Sequence, residues 1–347
     1  FQAEDGIRDS VASRGLGDVY KRQDQLVPKD VTFVIDSSGS MRVKKLDQAK
    51  DAINFCLNEL NVRDRFEIIR YSTELESLFG KLKHAKKQNL KRAKEFVKNL
   101  NAGGGTAIEE ALLKAISTQS TEKTTTSPRH KQIIFITDGR PTIGETRTDK
   151  IIDRLSRIIE KDKSSSRIFT FGIGTDINTK LLDLVSQKTK ASTEYVLPEE
   201  NIEDKISRFY SKVAQPVMTE IKIKTDDNLR LSEQHPKNLP DLFKGDQLIL
   251  IGRYQLDESE KEKVNFTISG NIGVKKVNLG FSKNINNIDT NQFIARLWGT
   301  RRVGYLLEEI RLHGENNELR NSVVSLARKW GIVTPVSYTH LTLPTKA

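Results

Sequence analysis

The sequence predicts an α/β protein with a doubly wound, mostly parallel sheet, followed by a small antiparallel β unit and a C-terminal helical segment. Three observations lead to this prediction. Apolar runs of β-branched and aromatic residues alternate with helical periodicity from Val31 to Val213, which is typical of parallel strands buried on both faces. Period-2 alternation replaces this pattern after Pro216. A period of 3.6 residues returns from about residue 291.

The first strand is predicted at 31–36, where a continuous apolar run ends at Asp36. A helix at 44–60 follows, and its apolar residues recur at helical spacing. Because strands and helices keep alternating to residue 213, the strands are expected to be parallel and to be covered by helices on both faces. The other strands of this part are predicted at 65–72, 74–79, 131–137, 167–174 and 193–197, and the other helices at 88–99, 107–118, 148–161, 178–188 and 201–213.

The segment after Pro216 contains short alternating runs with turn residues between them, which predict an antiparallel unit. These runs lie within 220–224, 247–254, 264–268 and 275–281. Four strands are too few to pair every sheet edge, and we expect a further segment to complete the unpaired edges. Two helices are predicted from residue 291 onward, and Gly331 stands where a C-terminal cap of the second is expected.

Composition and charge exclude several classes of protein. The 347 residues are 36% hydrophobic and 30% charged, with a net charge of +11, and no stretch approaches the roughly 20 apolar residues of a membrane helix. Lysines and arginines concentrate at 81–98 and are interpreted as a solvated helix face, because only one aromatic residue, Phe96, interleaves them, too few for base stacking; nucleic acid is therefore not an expected partner. The single cysteine, Cys56, is expected in the core. A lone buried thiol fits a cytosolic or a bacterial extracytoplasmic protein and argues against a disulfide-stapled animal secreted one.

Three short polar segments are expected at the carboxyl edge of the predicted sheet, where open α/β sheets bind ligands. They are Asp36-Ser37-Ser38-Gly39-Ser40, Gly104-Gly105-Thr106 and Thr137-Asp138-Gly139. Their oxygens suit Mg²⁺, Mn²⁺ or Ca²⁺ better than zinc. Both aspartates could simply cap helices, but capping does not explain complementary oxygens on three separate loops. The candidate metal site therefore consists of Asp36, Ser38, Ser40, Thr106 and Asp138, with hydroxyls as direct ligands and carboxylates acting through water.

These motifs, in this order, resemble the metal-ion-dependent adhesion site of von Willebrand factor type A domains, and the resemblance extends over 31–213. Residues 295–302 and 310–316 resemble the region after the A domain in inter-alpha-trypsin inhibitor heavy chain-like proteins. The resemblance implies a Rossmann-like A-domain fold and a divalent-cation-dependent adhesion module that captures a Glu or Asp side chain of a partner. It also implies a VIT domain before the A domain, absent from this sequence, whose strands would complete the β unit in cis.

The expected organisation is an A domain at 24–214, a β-rich domain at 215–289 and a C-terminal helical segment at 290–335. Residues 1–23 and 336–347 resemble translated sequencing adaptors and are set aside as non-native segments. Residues 24–335 are then expected to be a fragment of a longer protein.

An enzyme is not expected. Ser38 and Ser40 lack the GxSxG nucleophile elbow, and the glycine-rich loop before Thr106 lacks the lysine of a phosphate-binding loop. The leading hypothesis is a cation-dependent protein-binding module at a cell surface or in another extracytoplasmic compartment. Two alternatives stay open: a cytoplasmic scaffold or chaperone-like protein, and a docking subunit for an ATPase or chelatase-type enzyme.

Overall fold

The computed structural model describes residues 27–42, 44–120, 129–161, 166–214, 216–226, 229–243, 246–256, 263–284, 292–314 and 316–333. The two adaptor-like segments, 1–23 and 336–347, lie outside these residues.

A seven-stranded sheet forms the centre of the first half of the chain. Its strands are β1 (Lys29–Asp36), β2 (Arg65–Tyr71), β3 (Leu75–Ser77), β4 (Lys83–His84), β5 (His130–Thr137), β6 (Arg167–Ile173) and β7 (Thr193–Val196). They are arranged in the order β3-β2-β1-β5-β6-β7, and β4 also pairs with β2. Neighbours among β1, β2, β5, β6 and β7 are parallel, whereas β3 and β4 are antiparallel to β2. The predicted mostly parallel, doubly wound sheet is therefore confirmed.

Six helices cover the two faces of this sheet. They are α1 (Lys44–Asn58), α2 (Lys87–Lys98), α3 (Ile108–Ser120), α4 (Thr148–Lys161), α5 (Thr179–Lys188) and α6 (Ile202–Val213). Alternate residues of β1 divide the core, since Phe33 and Ile35 pack with α1, α2 and α6, whereas Val34 packs with α3, α4 and α5. Cys56 is fully buried in the first of these clusters, as predicted. The sheet is thus buried on both faces, and its strand ends remain available for function.

The second part of the chain contains antiparallel strands, as predicted. They are β8 (Pro216–Thr225), β9 (Leu229–His235), β10 (Leu242–Phe243), β11 (Ile251–Leu256), β12 (Lys263–Ile272) and β13 (Lys275–Asn284). One sheet has the order β10-β8-β12-β13, and β9 pairs with β11 in a separate ribbon. The strand predicted at 247–254 is wrong for its first half, because Leu248 and Leu250 pack against the apolar cluster around Met218 without joining a strand.

Two further helices, α7 (Gln292–His313) and α8 (Asn317–Trp330), pack through Val303, Leu306 and Val323. Gly331 ends α8 in the left-handed conformation, with φ 63°, and its N–H donates to the carbonyl of Ala327, so the predicted cap is confirmed. Among the helices in the described part of the chain, none combines the length and apolar character that a membrane span requires.

An ion cluster connects the start of β6 with the β unit, at the edge of the central sheet opposite the strand ends that carry the motifs. Arg167 donates to both carboxylate oxygens of Asp241, at 2.6 and 3.0 Å, and to Glu220 at 2.7 Å. Lys190 donates to the other oxygen of Glu220 at 2.6 Å. We call these four residues the junction cluster. Its paired, mostly buried charges fix β8 against the central sheet.

We expect Glu220 to lose its contribution to stability in acid. Burial alone would raise the pKa of Glu220, but hydrogen bonds and charges from Arg167 and Lys190 outweigh it and lower the pKa from 4.5 to about 2. Because the pKa is lower in the folded state, the stabilisation is present above pH 4.5 and is lost as the pH falls towards 2. The difference in unfolding free energy between wild type and Glu220→Gln, measured in urea across this range, should therefore shrink with acidification. A difference independent of pH would contradict this assignment.

Candidate metal centre

The three polar loops lie side by side at the carboxyl edge of the central sheet and are joined by hydrogen bonds. The N–H of Gly39, in the first loop, donates to the carbonyl of Gly104 in the glycine-rich loop at 3.0 Å. The N–H of Thr106 donates to the hydroxyl of Thr142 at 2.8 Å, and the N–H of Thr142 donates back to the carbonyl of Thr106 at 3.0 Å. Two of these bonds join main-chain groups and one involves the Thr142 side chain, and together they fix the loops relative to one another.

The glycine-rich loop has no room for side chains at two positions. A Cβ atom at Gly104 would lie 2.7 Å from the hydroxyl oxygen of Thr73, and φ is +82° there. A Cβ atom at Gly105 would lie 2.6 Å from Cγ1 of Ile143. Glycine is therefore required for the loop to pass between its neighbours and present Thr106 to the other two loops.

Three of the five predicted site residues, Ser38, Ser40 and Asp138, form a continuous group of oxygens, and Thr106 lies beside them. The hydroxyls of Ser38 and Ser40 lie 3.0 Å apart, and the hydroxyl of Ser40 donates to Oδ1 of Asp138 at 2.7 Å. A Cβ atom at Gly139 would lie 3.6 Å from the hydroxyl oxygen of Thr106 and 3.7 Å from that of Ser40. The two hydroxyls therefore flank the space beside Gly139, and the absence of a side chain leaves that space open.

Asp36, the fifth predicted residue, lies fully buried behind this group. One of its oxygens accepts the N–H of Ser38 at 2.7 Å, and the other accepts the hydroxyls of Thr137 at 2.7 Å and Tyr71 at 3.3 Å. Burial raises the pKa of Asp36, hydrogen bonds from Ser38 and Thr137 oppose that rise, and the charge of Asp138 adds to it. Burial, followed by the charge of Asp36, raises the pKa of the Tyr71 hydroxyl. Asp36 therefore acts on the site mainly by orienting the first loop.

Lys45, near the start of α1, reaches the same site. Its ammonium lies 2.7 Å from Oδ2 of Asp138, whose side chain is fully buried, whereas the side chain of Lys45 is 40% exposed. Ser40, Thr106, Asp138 and Lys45 border an open cleft of about 630 Å³. The cleft gives this group of oxygens access to solvent.

The local sequence pattern does not indicate that Lys45 and Tyr71 belong to the site. The Lys45–Asp138 pair spans 93 residues, so no local pattern indicates it. Tyr71 had a usable signal, because it ends β2, a strand predicted at 65–72, and the register of β2 on β1 pairs it with Asp36. A residue at the carboxyl end of a neighbouring parallel strand is a natural second partner for a site at that edge.

The donor set fits a hard divalent cation. Within the described ranges, no group of three or more histidine, cysteine, aspartate or glutamate side chains could hold a metal ion, so this site depends on its hydroxyls. His130 begins β5 and Asp138 follows its end, which separates them by about 26 Å at 3.3 Å per residue. Neutral hydroxyls combined with carboxylates suit Mg²⁺, Mn²⁺ or Ca²⁺ rather than the nitrogen and sulfur ligands that zinc prefers.

Comparison with known proteins identifies this architecture. Residues 29–192 match the family described as the von Willebrand factor type A domain. The chain is 26% identical over 332 residues to inter-alpha-trypsin inhibitor heavy chain H4 of Homo sapiens, covering 92% of this chain and 35% of that protein. It is also 26% identical to heavy chain H3 of Mesocricetus auratus, covering 92% of this chain and 37% of that protein. The chain thus spans about a third of the length of these curated relatives.

A solved structure, von Willebrand factor type A from Catenulispora acidiphila, shares the fold with a TM-score of 0.60. It is 18% identical, and the match covers 88% of this chain and 80% of that chain. At this identity the similarity concerns the fold alone.

Proposed function

We propose that this protein is a divalent-cation-dependent protein-binding module, because residues 29–192 match the von Willebrand factor type A family and the chain is similar to inter-alpha-trypsin inhibitor heavy chains. Its site comprises Asp36, Ser38, Ser40, Thr106 and Asp138 and captures a Glu or Asp side chain of a protein partner. The observation that carries this proposal is the continuous series of oxygens from Ser38 through Ser40 to Asp138, beside an open cleft.

A hard divalent cation, Mg²⁺, Mn²⁺ or Ca²⁺, would supply an exchangeable coordination position for a carboxylate when bound. The hydroxyls of Ser38, Ser40 and Thr106 provide oxygen without negative charge, so they leave the site attractive to an anion. Asp36 fixes the main chain at Ser38, and Asp138 orients the hydroxyl of Ser40. The two carboxylates thus act mainly by positioning the hydroxyls.

We propose a binding module rather than an enzyme, because in the described part of the chain neither serine of the site is hydrogen-bonded to a histidine that could activate it as a nucleophile. Ser40 donates to Asp138, and Ser38 contacts Ser40.

We further propose that the domain boundaries expected from the sequence hold, with the A domain at 24–214. We also propose that the protein acts at a cell surface or in another extracytoplasmic compartment. Cys56 is buried and free, so the described fold has no disulfide and does not depend on whether its compartment is oxidising or reducing.

The test is capture of a partner on the immobilised protein with Mg²⁺ or with EDTA. We expect a partner from a surface extract of the source organism to be released by EDTA and recovered when Mg²⁺ returns. Thr106→Ala should lower the affinity for that partner at least about tenfold, equivalent to 1.4 kcal/mol, because it removes a hydroxyl that flanks the site. Thr106→Ser is the matched control, since it keeps the hydroxyl, and should bind nearly as wild type.

A substitution in the captured partner completes the test. Replacing its contacting Glu or Asp by the corresponding amide should weaken binding as strongly as EDTA does, because either change removes the same interaction. A partner that stays bound in EDTA, or that tolerates the amide, would show that this domain binds through another face.

A further inference from the structure

Lys45 places a positive charge inside the candidate site. Its ammonium lies 2.7 Å from Oδ2 of Asp138, while Ser40 donates to Oδ1 of the same carboxylate. A Cβ atom at Gly174, which follows the end of β6, would lie 3.8 Å from that ammonium. The lysine therefore crosses the cleft and ends between the carboxyl ends of β5 and β6, beside the oxygens proposed to bind metal.

Helix stability does not account for a lysine at this position. Lys45 lies in the first turn of α1, where the partial positive charge of the helix N-terminus disfavours a cation. The favourable contact that compensates is the pair with Asp138, whose side chain is fully buried. A buried carboxylate requires a compensating partner, so the charge of Lys45 belongs to the site rather than to the helix.

We propose that Lys45 is an internal counterion of the metal site, which rests on the function proposed above. In the absence of metal, its ammonium balances Asp138 and stabilises the arrangement of the three loops. Towards a divalent cation, the same charge is repulsive, so Lys45 weakens metal binding and keeps it reversible. The carboxylates of Asp36 and Asp138 supply at most two negative charges, enough to balance a divalent cation, and Lys45 adds one positive charge that the carboxylate of an acidic partner then offsets. Lys45 thereby links metal occupancy to selection for an acidic partner.

Titration with Mn²⁺ alone tests this proposal without a partner. We expect Lys45→Met to bind Mn²⁺ at least about tenfold more tightly than wild type in calorimetry, because removing the positive charge paired with Asp138 at 2.7 Å removes a repulsion. Without metal, Lys45→Met should have a lower Tm than wild type, since Asp138 loses its counterion. The rise in Tm on adding Mn²⁺ should consequently be larger in this variant.

Two control variants separate charge at this position from charge in general. Lys44→Met removes the same charge from an exposed neighbour that borders the same cleft, and it should change Mn²⁺ affinity much less. Lys45→Arg keeps the charge and should stay close to wild type. Equal or weaker Mn²⁺ binding by Lys45→Met would overturn the counterion assignment while leaving the proposed function intact. A wild-type protein that binds no Mn²⁺ would overturn both.

Discussion

Divalent cations are expected to stabilise the wild-type protein, and Asp36→Ala and Asp138→Ala are each expected to abolish that stabilisation. An ion that binds only the folded state stabilises it by about 2.7 kcal/mol at a concentration of 100 times Kd. Asp36 fixes Ser38, and Asp138 holds Ser40, so either substitution disorders the hydroxyls that would ligate the ion. The measurement is the change in Tm on adding millimolar Mg²⁺ or Mn²⁺, taken for each variant relative to its own metal-free value.

Asp176→Ala provides the matched control for this experiment. Asp176 borders the same cleft, but its side chain is 88% exposed and pairs with Arg140 at 3.1 Å. Removing it takes away one carboxylate without affecting the hydroxyls, so the metal-induced change in Tm should persist. If wild type and both site variants respond equally to metal, the assignment of the metal site is wrong.

Asp30→Asn is expected to lower the free energy of unfolding by about 3–5 kcal/mol, the range for breaking a buried charge network. Asp30 is fully buried and accepts hydrogen bonds from Arg65 at 2.9 and 2.6 Å and from Arg129 at 2.6 Å. The substitution keeps the shape of the side chain but leaves two largely buried guanidinium groups without their compensating charge. Urea unfolding followed by circular dichroism measures the effect.

The contrast with an exposed ion pair makes this prediction specific. Glu76 pairs with Arg70 at 2.9 Å, but its side chain is 54% exposed, so Glu76→Gln should cost no more than about 1 kcal/mol. Comparable losses in the two variants would show that burial does not determine the strength of the Asp30 network.

Elements with strong periodicity could be predicted from the sequence. The helix predicted at 148–161 coincides with α4, because Ile151, Ile152 and Leu155 repeat at helical spacing and are buried. The parallel strands were predictable for a similar reason, since burial on both faces requires a continuous apolar run.

Strands that show no period in the sequence, and that only their pairing reveals, were not predicted. β4 and β10 contain two residues each, too few to show a period. In β9, the positive φ of Glu233, 48°, interrupts the extended conformation within a mostly polar strand. Conversely, the alternation at 247–250 reflects packing of Leu248 and Leu250 on their neighbours, since alternation reports which side chains are buried and not whether the main chain joins a sheet.

Part of the candidate site could likewise be predicted from the sequence, and part could not. Asp36 and Asp138 follow the ends of buried strands, so topology alone predicts that they meet at one edge. The contacts of Lys45 depend on the path of a flexible side chain across the cleft, and the hydrogen bond from Tyr71 depends on strand order. These features become visible only when the fold is assembled.

The junction cluster gives the domain a mechanical property. β5 and β6 run from the edge that holds Arg167 towards the edge that holds Asp138, and Val213, shortly before β8, accepts a hydrogen bond from Gln132 near the first edge. A pull between a captured partner and the chain beyond β8 would therefore act along the strands. The interstrand hydrogen bonds would then be loaded together in shear instead of being peeled apart one after another. Under the proposed function, such a geometry would resist extension along the strands.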